Sequence, residues 1–282
     1  MGQIAYLGTG LLGSAFVEAA LGRGDHVTVW NRTTAKAKAL AAAGAVVATT
    51  PAEAVKGATR VHLVLKDDAV VEEIVAALRP GLASDAIIVD HTTTQPALTA
   101  ARMARLAGEG VRYLHCPVFI GPAAARASKG IILVSGPKAL HDSVRPALQT
   151  QASRVEYLGE QPGLAATYKL CGNAYIIGLA AVLSDVFAIG KGAGVAPKDA
   201  LGVLEFFQPG ALVTGRGLKM AEGDFAASFE LTMARKDVRL MLETAGALPL
   251  TLLPGLAARM DALIAGGHGA EDVGVLATDS VS

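Results

Sequence analysis

The sequence contains only two cysteines, Cys116 and Cys171, among its 282 residues. They provide neither a disulfide framework nor the spacing of a metal-binding motif, so we expect no bound metal and a reducing compartment. Basic residues are not in excess either, because Lys plus Arg and Asp plus Glu each total 25. A general nucleic-acid binder or a protein drawn to acidic membranes needs such an excess. The composition therefore argues against nucleic acid as a partner.

Long apolar runs are also scarce, although the mean hydropathy is +0.43. The longest candidate, residues 174–183, is too short to cross a bilayer and is followed by Ser184 and Asp185. The N-terminus is apolar but lacks the basic region of a signal peptide. We therefore expect a cytoplasmic protein that does not bind membranes, with enough apolar residues for a large core.

Short β-branched runs alternate with alanine-rich stretches through the first half of the chain. We predict helices at 11–21, 35–43, 52–55, 70–78 and 97–109, and strands at 3–7, 26–30, 46–48, 60–65, 86–90, 112–115 and 131–135. Alternation at this spacing requires right-handed crossovers and is typical of a mostly parallel, doubly wound sheet. A Rossmann domain is therefore predicted over residues 1–162.

Strand signals nearly vanish after a break at residues 159–163 that contains glycine and proline. Residues 164–193 are predicted to form one long helix. Shorter helices are predicted at 197–206, 215–220, 231–245 and 254–265. The predicted fold class is thus α/β: a Rossmann doubly wound sheet, followed over residues 163–282 by an all-α domain for substrate binding and dimerisation, built on a long interdomain helix.

A glycine-rich motif lies directly between the first predicted strand and the first predicted helix. It matches G-x-G-x-x-G and consists of Gly8, Thr9, Gly10, Leu11, Leu12 and Gly13. The first glycine of this motif permits a tight turn, the second lets the backbone approach a pyrophosphate, and the third lets the helix pack close to the strand. The helix N-terminus presents amides to the phosphates. We predict a dinucleotide site here; a tight turn that binds nothing is the alternative.

The end of the second predicted strand indicates which dinucleotide is bound. NAD-specific sites usually carry Asp or Glu there, which binds the ribose hydroxyls. This sequence has Asn31, Arg32 and Thr33, with Lys36 one helical turn later. A guanidinium binds a 2′-phosphate through two hydrogen bonds, whereas a carboxylate repels it. The pattern favours NADP(H); a solvated arginine without a ligand is the alternative.

Lys169 lies on the predicted long helix, which is otherwise nearly all apolar. Lys169, Asn173 and Ser184 share one face of that helix. A buried lysine is unfavourable unless it is paired or its pKa falls, and a lowered pKa suits proton exchange with a substrate oxygen. Asn173 would orient the amine or the substrate. On spacing alone, a lysine that extends to solvent from the first turns is an equal alternative.

Six motifs, in this order, resemble the β-hydroxyacid dehydrogenases, which include the 3-hydroxyisobutyrate, tartronate-semialdehyde and glyoxylate/succinic-semialdehyde enzymes. The motifs are G-T-G-L-L-G at 8–13, V-W-N-R-T at 29–33, V-D-H-T-T-T-Q-P at 89–96, C-P-V-F-I-G at 116–121, K-L-C-G-N at 169–173 and R-K-D at 235–237. The resemblance covers essentially the whole chain, and several motifs in one order are far more specific than any single one.

The resemblance implies roles for particular positions. Lys169 matches the family's catalytic lysine, and Asn173 matches its asparagine partner. The resemblance also implies cofactor contacts at four positions, namely Leu65, Lys66, Thr93 and Lys236. Lys66 stands where the family usually has proline, so we expect this loop to be less rigid.

The predicted substrate loop departs from the family pattern. The family usually has D-A-P-V-S-G-G there, and its serine and glycines bind the substrate carboxylate. This sequence replaces the serine with Phe119 and the first glycine with Ile120, before Gly121. Phe207 adds aromatic bulk in the helical domain, where the family's pocket lies. We therefore expect a substrate larger or more apolar than a small 3-hydroxy acid. The alternative is that Phe119 simply packs at the domain interface.

We predict hydride transfer between NADPH and a carbonyl or alcohol carbon, with Lys169 as general acid and base. The nearest alternative is an imine reductase; those enzymes generally lack the lysine, but Phe119 and Ile120 favour an apolar imine. An NADP(H)-binding protein without turnover is a second alternative, while Arg32 and the later motifs argue against a methyltransferase. Because the family's long helix commonly packs on another subunit, we expect a homodimer or homotetramer.

Overall fold

The computed structural model describes residues 3–281, except for the side chains at 211 and 212. The chain divides into two compact units between Asn173 and Ala174. The sequence predicted a division after Pro162. Residues 164–173, the start of the long helix Leu164–Gly192, therefore belong to the first unit.

Six strands form the main sheet of the first unit. They are β1 Gln3–Leu7, β2 Val27–Trp30, β3 Val46–Val47, β4 Ala58–Leu63, β5 Ile87–Asp90 and β6 Arg112–His115. Their order across the sheet is β3-β2-β1-β4-β5-β6, and all neighbouring pairs are parallel. The chain changes direction across the sheet between β1 and β4, which is the doubly wound arrangement that the sequence predicted. Ligands of such sheets bind outside the carboxyl ends of the strands at this point.

Helices connect these strands, because parallel neighbours need crossover connections. They are α1 Leu11–Gly22, α2 Thr34–Lys38, α3 Pro51–Ala54, α4 Asp68–Leu78 and α5 Pro96–Gly108. The predicted helix at 35–43 instead ends at Lys38 and is followed by a separate 3₁₀ turn, Ala41–Ala43. Successive residues of β1 bury opposite faces: Tyr6 joins one apolar cluster and Leu7 the other.

A second sheet of three strands follows β6 and was not predicted as a separate sheet. Its strands are β7 Val118–Phe119, β8 Ile131–Val134 and β9 Arg154–Tyr157; β8 pairs antiparallel with β7 and parallel with β9. Helices α6 Pro122–Arg126 and α7 Lys138–Gln149 lie between them. The sequence predicted only β8, since β7 is too short to show a period. This short strand positions Phe119.

The second unit is formed by helices, as predicted. After the rest of α8 Leu164–Gly192, its helices are α9 Pro197–Ala200, α10 Pro209–Ala221, α11 Leu231–Ala245, α12 Leu253–Leu263 and α13 Thr278–Val281. Leu231 and Val238 of α11 pack with Met260 of α12 and Val275 in its core. The predicted helix at 197–206 is split, since α9 ends at Ala200 and a 3₁₀ segment follows.

A buried carboxylate attaches α8 to α12 within the second unit. Asp185 is 2% exposed and accepts hydrogen bonds from the backbone amides of Thr251, Leu252 and Leu253 at 2.6, 2.9 and 2.8 Å. Amides at a helix N-terminus have no partners in the helix itself. Burial raises the pKa of Asp185, but the three amides outweigh it and hold that pKa below its ordinary value. The charge of Asp185 in this apolar helix thus has backbone amides as its partners, which is a structural role.

Among residues 3–281, α8 is long and apolar enough to cross a membrane by length and composition alone. The sequence predicted that the longest candidate, residues 174–183, is too short to cross a membrane; this prediction is wrong, because the helix spans Leu164–Gly192. The charged side chains of Lys169 and Asp185 are buried in the first and the second unit respectively. Much of the remaining apolar surface of α8 is exposed, including Tyr175, Ile177 and Leu179.

Candidate active site

The glycine turn after β1 is tightly packed at two of its three glycines. Gly8 has a φ of +97°, and a Cβ there would lie 2.2 Å from the carbonyl oxygen of Val64. A Cβ at Gly13 would lie 2.0 Å from the carbonyl oxygen of Gly8. Neither position tolerates a side chain. Gly10 differs, since a Cβ there would meet no atom within 4 Å; its backbone therefore borders the open space that close approach of a pyrophosphate needs.

The N-terminus of α1 is available to an anion. No side chain caps this helix and no acidic residue lies in its first turn, so the amides of Leu11, Leu12 and Gly13 have no partner in the helix. Asn31 Oδ1 accepts a hydrogen bond of 2.9 Å from the amide of Thr9, which ties the end of β2 to the glycine turn. The buried Thr9 hydroxyl has no partner among the described residues. These groups fit the phosphates of a dinucleotide.

A cavity of about 300 Å³ lies beside the glycine turn. It is lined by eight of the predicted cofactor residues, namely Gly8, Gly10, Asn31, Arg32, Thr33, Lys36, Leu65 and Lys66. Trp30 and Glu73 also line it and were not predicted; Trp30 stands next to Asn31 in a quoted motif, whereas no sequence signal pointed to Glu73. The lining thus has three cationic side chains and one carboxylate, which suits an anionic ligand.

Arg32 and Lys36 are both exposed, and the side chain of neither makes an ion pair or hydrogen bond with another described residue. The third cation, Lys66, is also exposed and lies 3.6 Å from a carboxylate oxygen of Asp67. Two of the three positive charges are therefore unneutralised at the end of β2, where the sequence predicted a 2′-phosphate.

Two loops at the carboxyl end of the sheet hold each other in place. The amide of Leu65 donates to Thr92 Oγ1 at 3.1 Å, and the amide of Gln95 donates to Asp68 Oδ2 at 2.8 Å. Thr93 lies in the second loop with its side chain exposed. The resemblance implied cofactor contacts at Leu65 and Thr93, and these bonds fix the two loops relative to each other.

A fully buried guanidinium supports the same loops and was not predicted from the sequence. Arg102 on α5 donates to Asp68 Oδ1 at 2.6 Å, to Glu72 Oε1 at 2.8 Å and to Tyr113 Oη at 3.4 Å. A buried charge requires such partners. Because Asp68 also accepts from the amide of Gln95, Arg102 stabilises the loop after β5.

Two buried histidines connect the main sheet to the segment that leads to Phe119. His91 Nδ1 donates to the carbonyl oxygen of Cys116 at 2.8 Å, since a carbonyl only accepts. His91 Nε2 therefore accepts from His62 Nδ1 at 3.0 Å, and His62 Nε2 has no partner among the described residues. Burial lowers the pKa of His62 well below its ordinary value and that of His91 to about 4. Both histidines are thus neutral near pH 7.

Lys169 is buried, with 8% of its surface exposed. Its Nζ donates to Asn173 Oδ1 at 2.8 Å, one helical turn later on α8. It forms no ion pair within 4.0 Å of any described carboxylate, and burial lowers the pKa of its amine. This arrangement supports the predicted pair of Lys169 and Asn173 and does not fit a lysine that extends to solvent.

The ring of Phe119 packs on the same turn of α8. Lys169 Nζ lies 4.2 Å from the centroid of this ring. A Cβ added to Gly172 would lie 2.2 Å from Phe119 Cζ, so the ring contacts the helix where it has no side chain. Phe119 therefore packs inside the first unit, beside the lysine. Sequence reasoning quoted Gly172 within a motif but did not assign it this contact.

The other predicted substrate and cofactor residues have separate positions. Ile120 is half-buried and packs against the core of the first unit, while the exposed Gly121 precedes α6. In the second unit, Phe207 is exposed, and Lys236 on α11 is exposed and lies 2.9 Å from an oxygen of Asp237. The roles assigned to these residues stay predictions.

Two family models match consecutive parts of the chain. Residues 3–159 match the NAD-binding domain of 6-phosphogluconate dehydrogenase, and residues 163–277 match the NAD-binding domain of NADP-dependent 3-hydroxyisobutyrate dehydrogenase. The first match contains the glycine turn and its cavity, and the second contains Lys169 and Asn173. The chain belongs to the β-hydroxyacid dehydrogenase family, as its motifs predicted.

The names of similar proteins indicate the class of reaction. Glyoxylate/succinic semialdehyde reductase 1 of Arabidopsis thaliana is 28% identical over 85% of this chain and 84% of that protein. The 3-sulfolactaldehyde reductase of Escherichia coli is 26% identical over 92% and 88%. A reductive aminase from Aspergillus terreus, solved with NADPH4, cyclohexanone and allyl amine, is 26% identical with a TM-score of 0.87 over 99% of both chains. The protein is an NAD(P)-dependent oxidoreductase that acts on CH–OH or C=N groups.

Proposed function

We propose that this protein transfers hydride between NADP(H) and a carbonyl or alcohol carbon, with Lys169 as general acid and base. The observation that carries the proposal is the hydrogen bond of 2.8 Å between Lys169 Nζ and Asn173 Oδ1 at a buried position. An amine whose pKa is lowered by burial, with no carboxylate partner, suits proton exchange near neutral pH.

The choice of NADP(H) over NAD(H) is supported by the charges of the cavity. Arg32 follows β2 at the position where an NAD-specific site carries a carboxylate. Lys36 and Lys66 line the same cavity. A 2′-phosphate adds negative charge that these three side chains attract, whereas NAD(H) has nothing there for the guanidinium to bind.

The protein's own groups then perform three tasks. The unpaired amides of α1 and the backbone at Gly10 bind the pyrophosphate. A bound nicotinamide would supply or accept the hydride. Lys169 gives a proton to the substrate oxygen during reduction and takes it back during oxidation, while Asn173 holds one of its three N–H groups and so restricts the direction of the others. The low exposure of Lys169 limits proton exchange with bulk water.

The proposed substrate is a carbonyl or alcohol compound larger or more apolar than 3-hydroxyisobutyrate. A phenyl ring at Phe119 offers a carboxylate no donor, and its contact with Gly172 leaves no room for a second group at this point of α8. Ile120, which replaces a glycine of the family pattern, packs with the core and restricts access to its backbone.

Reduction of an apolar imine is the second candidate. The likeness to a reductive aminase and the apolar character of Phe119 favour it. Lys169 disfavours it, because a protonated imine is cationic and would lie close to the ammonium group. The lysine is the reason for placing carbonyl reduction first.

We also propose a cytoplasmic homodimer or homotetramer in which a second copy covers the exposed face of α8. Tyr175, Ile176, Ile177 and Leu179 are each more than half exposed. A patch of this kind usually marks an interaction surface. The test is sedimentation velocity of the purified protein: oligomers support the proposal, and a monomer at micromolar concentration contradicts it.

The experiment that tests the function is a turnover panel with NADPH and NADH. Aldehydes, ketones, small hydroxy acids, semialdehydes and cyclic imines are each assayed for a change in absorbance at the nicotinamide band. We expect NADPH-dependent reduction of apolar carbonyl compounds and the reverse reaction with their alcohols. Turnover of imines alone would replace the first candidate by the second, and cofactor binding without any turnover would support a non-catalytic protein.

A further inference from the structure

Two side chains contact the ammonium group of Lys169: Asn173, one helical turn away, and Phe119, which is distant in sequence. Lys169 Nζ lies 4.2 Å from the centroid of Phe119 and 2.8 Å from Asn173 Oδ1. A cation this close to a ring face is attracted by the ring's quadrupole, whose useful range extends to about 6 Å. The lysine is therefore held by two weak partners on different elements, β7 and α8.

The position of the ring depends on a glycine. A Cβ at Gly172 would lie 2.2 Å from Phe119 Cζ, 2.7 Å from Cε1 and 3.2 Å from Cε2. Every other residue type would push the tip of the ring away from α8 and so away from the lysine. Phe119 and Gly172 are thus a sterically matched pair.

We propose that Phe119 is a positioning residue for Lys169. The ring face of Phe119, held in place by Gly172, retains the ammonium group of Lys169 and directs it toward the substrate oxygen. This inference rests on the proposed role of Lys169. An ammonium group has three N–H donors. Asn173 takes one and the ring face attracts the cation from a second side, which leaves a donor for the reacting oxygen.

The ring also compensates for the absence of any anion near the lysine. No described carboxylate lies within 4.0 Å of Lys169, and its ionisable neighbours on α8, Tyr168 and Cys171, are both exposed. Burial favours the neutral form of the amine and so lowers its pKa. The ring face acts in the opposite sense and preserves enough of the charged form to donate a proton.

The test is to titrate Lys169 in the cofactor-free protein and in two variants at Phe119. The midpoint of each titration is read from the ¹³Cε chemical shift of Lys169. Phe119→Leu keeps an apolar side chain but removes the ring face, so we expect the midpoint to fall by ~1 pH unit. Phe119→Ala admits water beside the amine, so we expect the midpoint to rise. A midpoint that is unchanged or raised in Phe119→Leu overturns the proposal.

A second test moves the ring without changing it. Gly172→Ala should lower the same midpoint as Phe119→Leu does, and it should shift the basic limb of the pH profile of kcat for reduction in the same direction. The matched control is Gly108→Ala at the end of α5 in the same unit, where the added Cβ also meets no atom within 4 Å, and we expect no shift. Equal effects of the two alanines would show a general response of the unit and would overturn the proposal.

The combined variant Phe119→Leu with Gly172→Ala separates the pair from two independent effects. We expect Gly172→Ala to change the titration midpoint of Lys169 little once the ring is absent, since this substitution acts by displacing that ring. Fully additive shifts contradict the proposal. Failure of the proposed function is distinguishable from failure of this inference. If the proposed function fails, Lys169→Met leaves turnover intact. If only this inference fails, Lys169→Met still lowers kcat strongly, but the Phe119 variants leave the titration midpoint of Lys169 unmoved.

Discussion

The cofactor cavity and the Lys169 site of the first unit are assembled in different ways. The cavity is built from three continuous segments, namely the turn that contains Gly8 and Gly10, the end of β2 with Arg32, and residues 64–74 after β4. The Lys169 site joins Phe119 of β7 to a turn of α8 about fifty residues later. The first presents backbone amides and exposed cations, and the second buries one amine among apolar groups.

This difference indicates what each site tolerates. Backbone amides and a glycine turn bind phosphates whatever the surrounding side chains are, so side chains there only select between related cofactors. At Lys169, side chains supply both the reacting group and its surroundings. Substitutions should therefore change affinity at the cavity and chemistry at Lys169.

The largest expected effect is that of Lys169→Met, which keeps the length of the side chain and removes the proton donor. We expect kcat for carbonyl reduction to fall by roughly 10²–10⁴, the usual contribution of a general acid, with the Kd of NADPH unchanged. Lys191→Met, at the exposed end of α8, is the control and should retain wild-type kcat. Near-wild-type turnover of Lys169→Met would mean that the proton comes from elsewhere and would favour imine reduction.

The substrate loop should be the next most sensitive. Phe119→Ser combined with Ile120→Gly restores a hydroxyl donor and an open backbone, so kcat/KM for small acids should rise relative to apolar carbonyl compounds by about ten- to a hundredfold. Phe119→Ser alone, which leaves the core contact of Ile120 intact, is the comparison. Thermal unfolding must confirm that both variants are folded. Efficient wild-type turnover of the small acids would show that their carboxylate binds elsewhere.

Substitutions in the cofactor cavity should change only the affinity for the cofactor. Arg32→Ala removes a charge-assisted contact to the 2′-phosphate, so we expect the Kd of NADPH to rise by about ten- to a hundredfold, with that of NADH little changed. Lys38, at the end of the short helix α2 that follows Arg32, does not line the cavity, and Lys38→Ala serves as the control. Equal wild-type affinities for the two cofactors, measured by fluorescence titration, would contradict the proposed preference.

The smallest effect on turnover is expected from the buried histidines His62 and His91, which act on stability. The pKa of His91 is about 4 in the folded protein and near 6.5 in the unfolded chain, so the unfolded state binds the proton first. The contribution of His91 to stability is then constant above pH 6.5 and falls by about 1.4 kcal/mol per pH unit as the pH drops toward 4. His62 adds a slope of the same sign.

Urea unfolding at pH 7.5, 6 and 5 measures this slope. His62→Phe preserves a ring to stack on Tyr6 and removes one of the buried histidines whose pKa is lowered, so the slope between pH 6 and 5 should become shallower. The exposed His26, changed to Gln, is the control and should leave the slope unaltered. A stability that does not depend on pH in this window would contradict the buried, neutral state of both histidines.

The sequence alone predicted most elements of the first unit and the cofactor turn. Gly8, Gly10 and Gly13 act through local backbone geometry, which a contiguous motif records. The positive charge at Arg32 could equally be predicted from the sequence. The second sheet was missed, because β7 has two residues and shows no period, and the split of the helix after Lys38 was missed for lack of a strong breaker there.

What the sequence by itself determined is the alternation of strands and helices, the phosphate-binding turn, and a lysine and an asparagine one helical turn apart. These features depend on residues close together in the chain. Only the tertiary structure decided that Lys169 is buried, that Phe119 faces it, and that Gly172 makes room for the ring. Such contacts depend on the packing of β7 against α8, and packing between distant segments leaves no periodic trace in either segment.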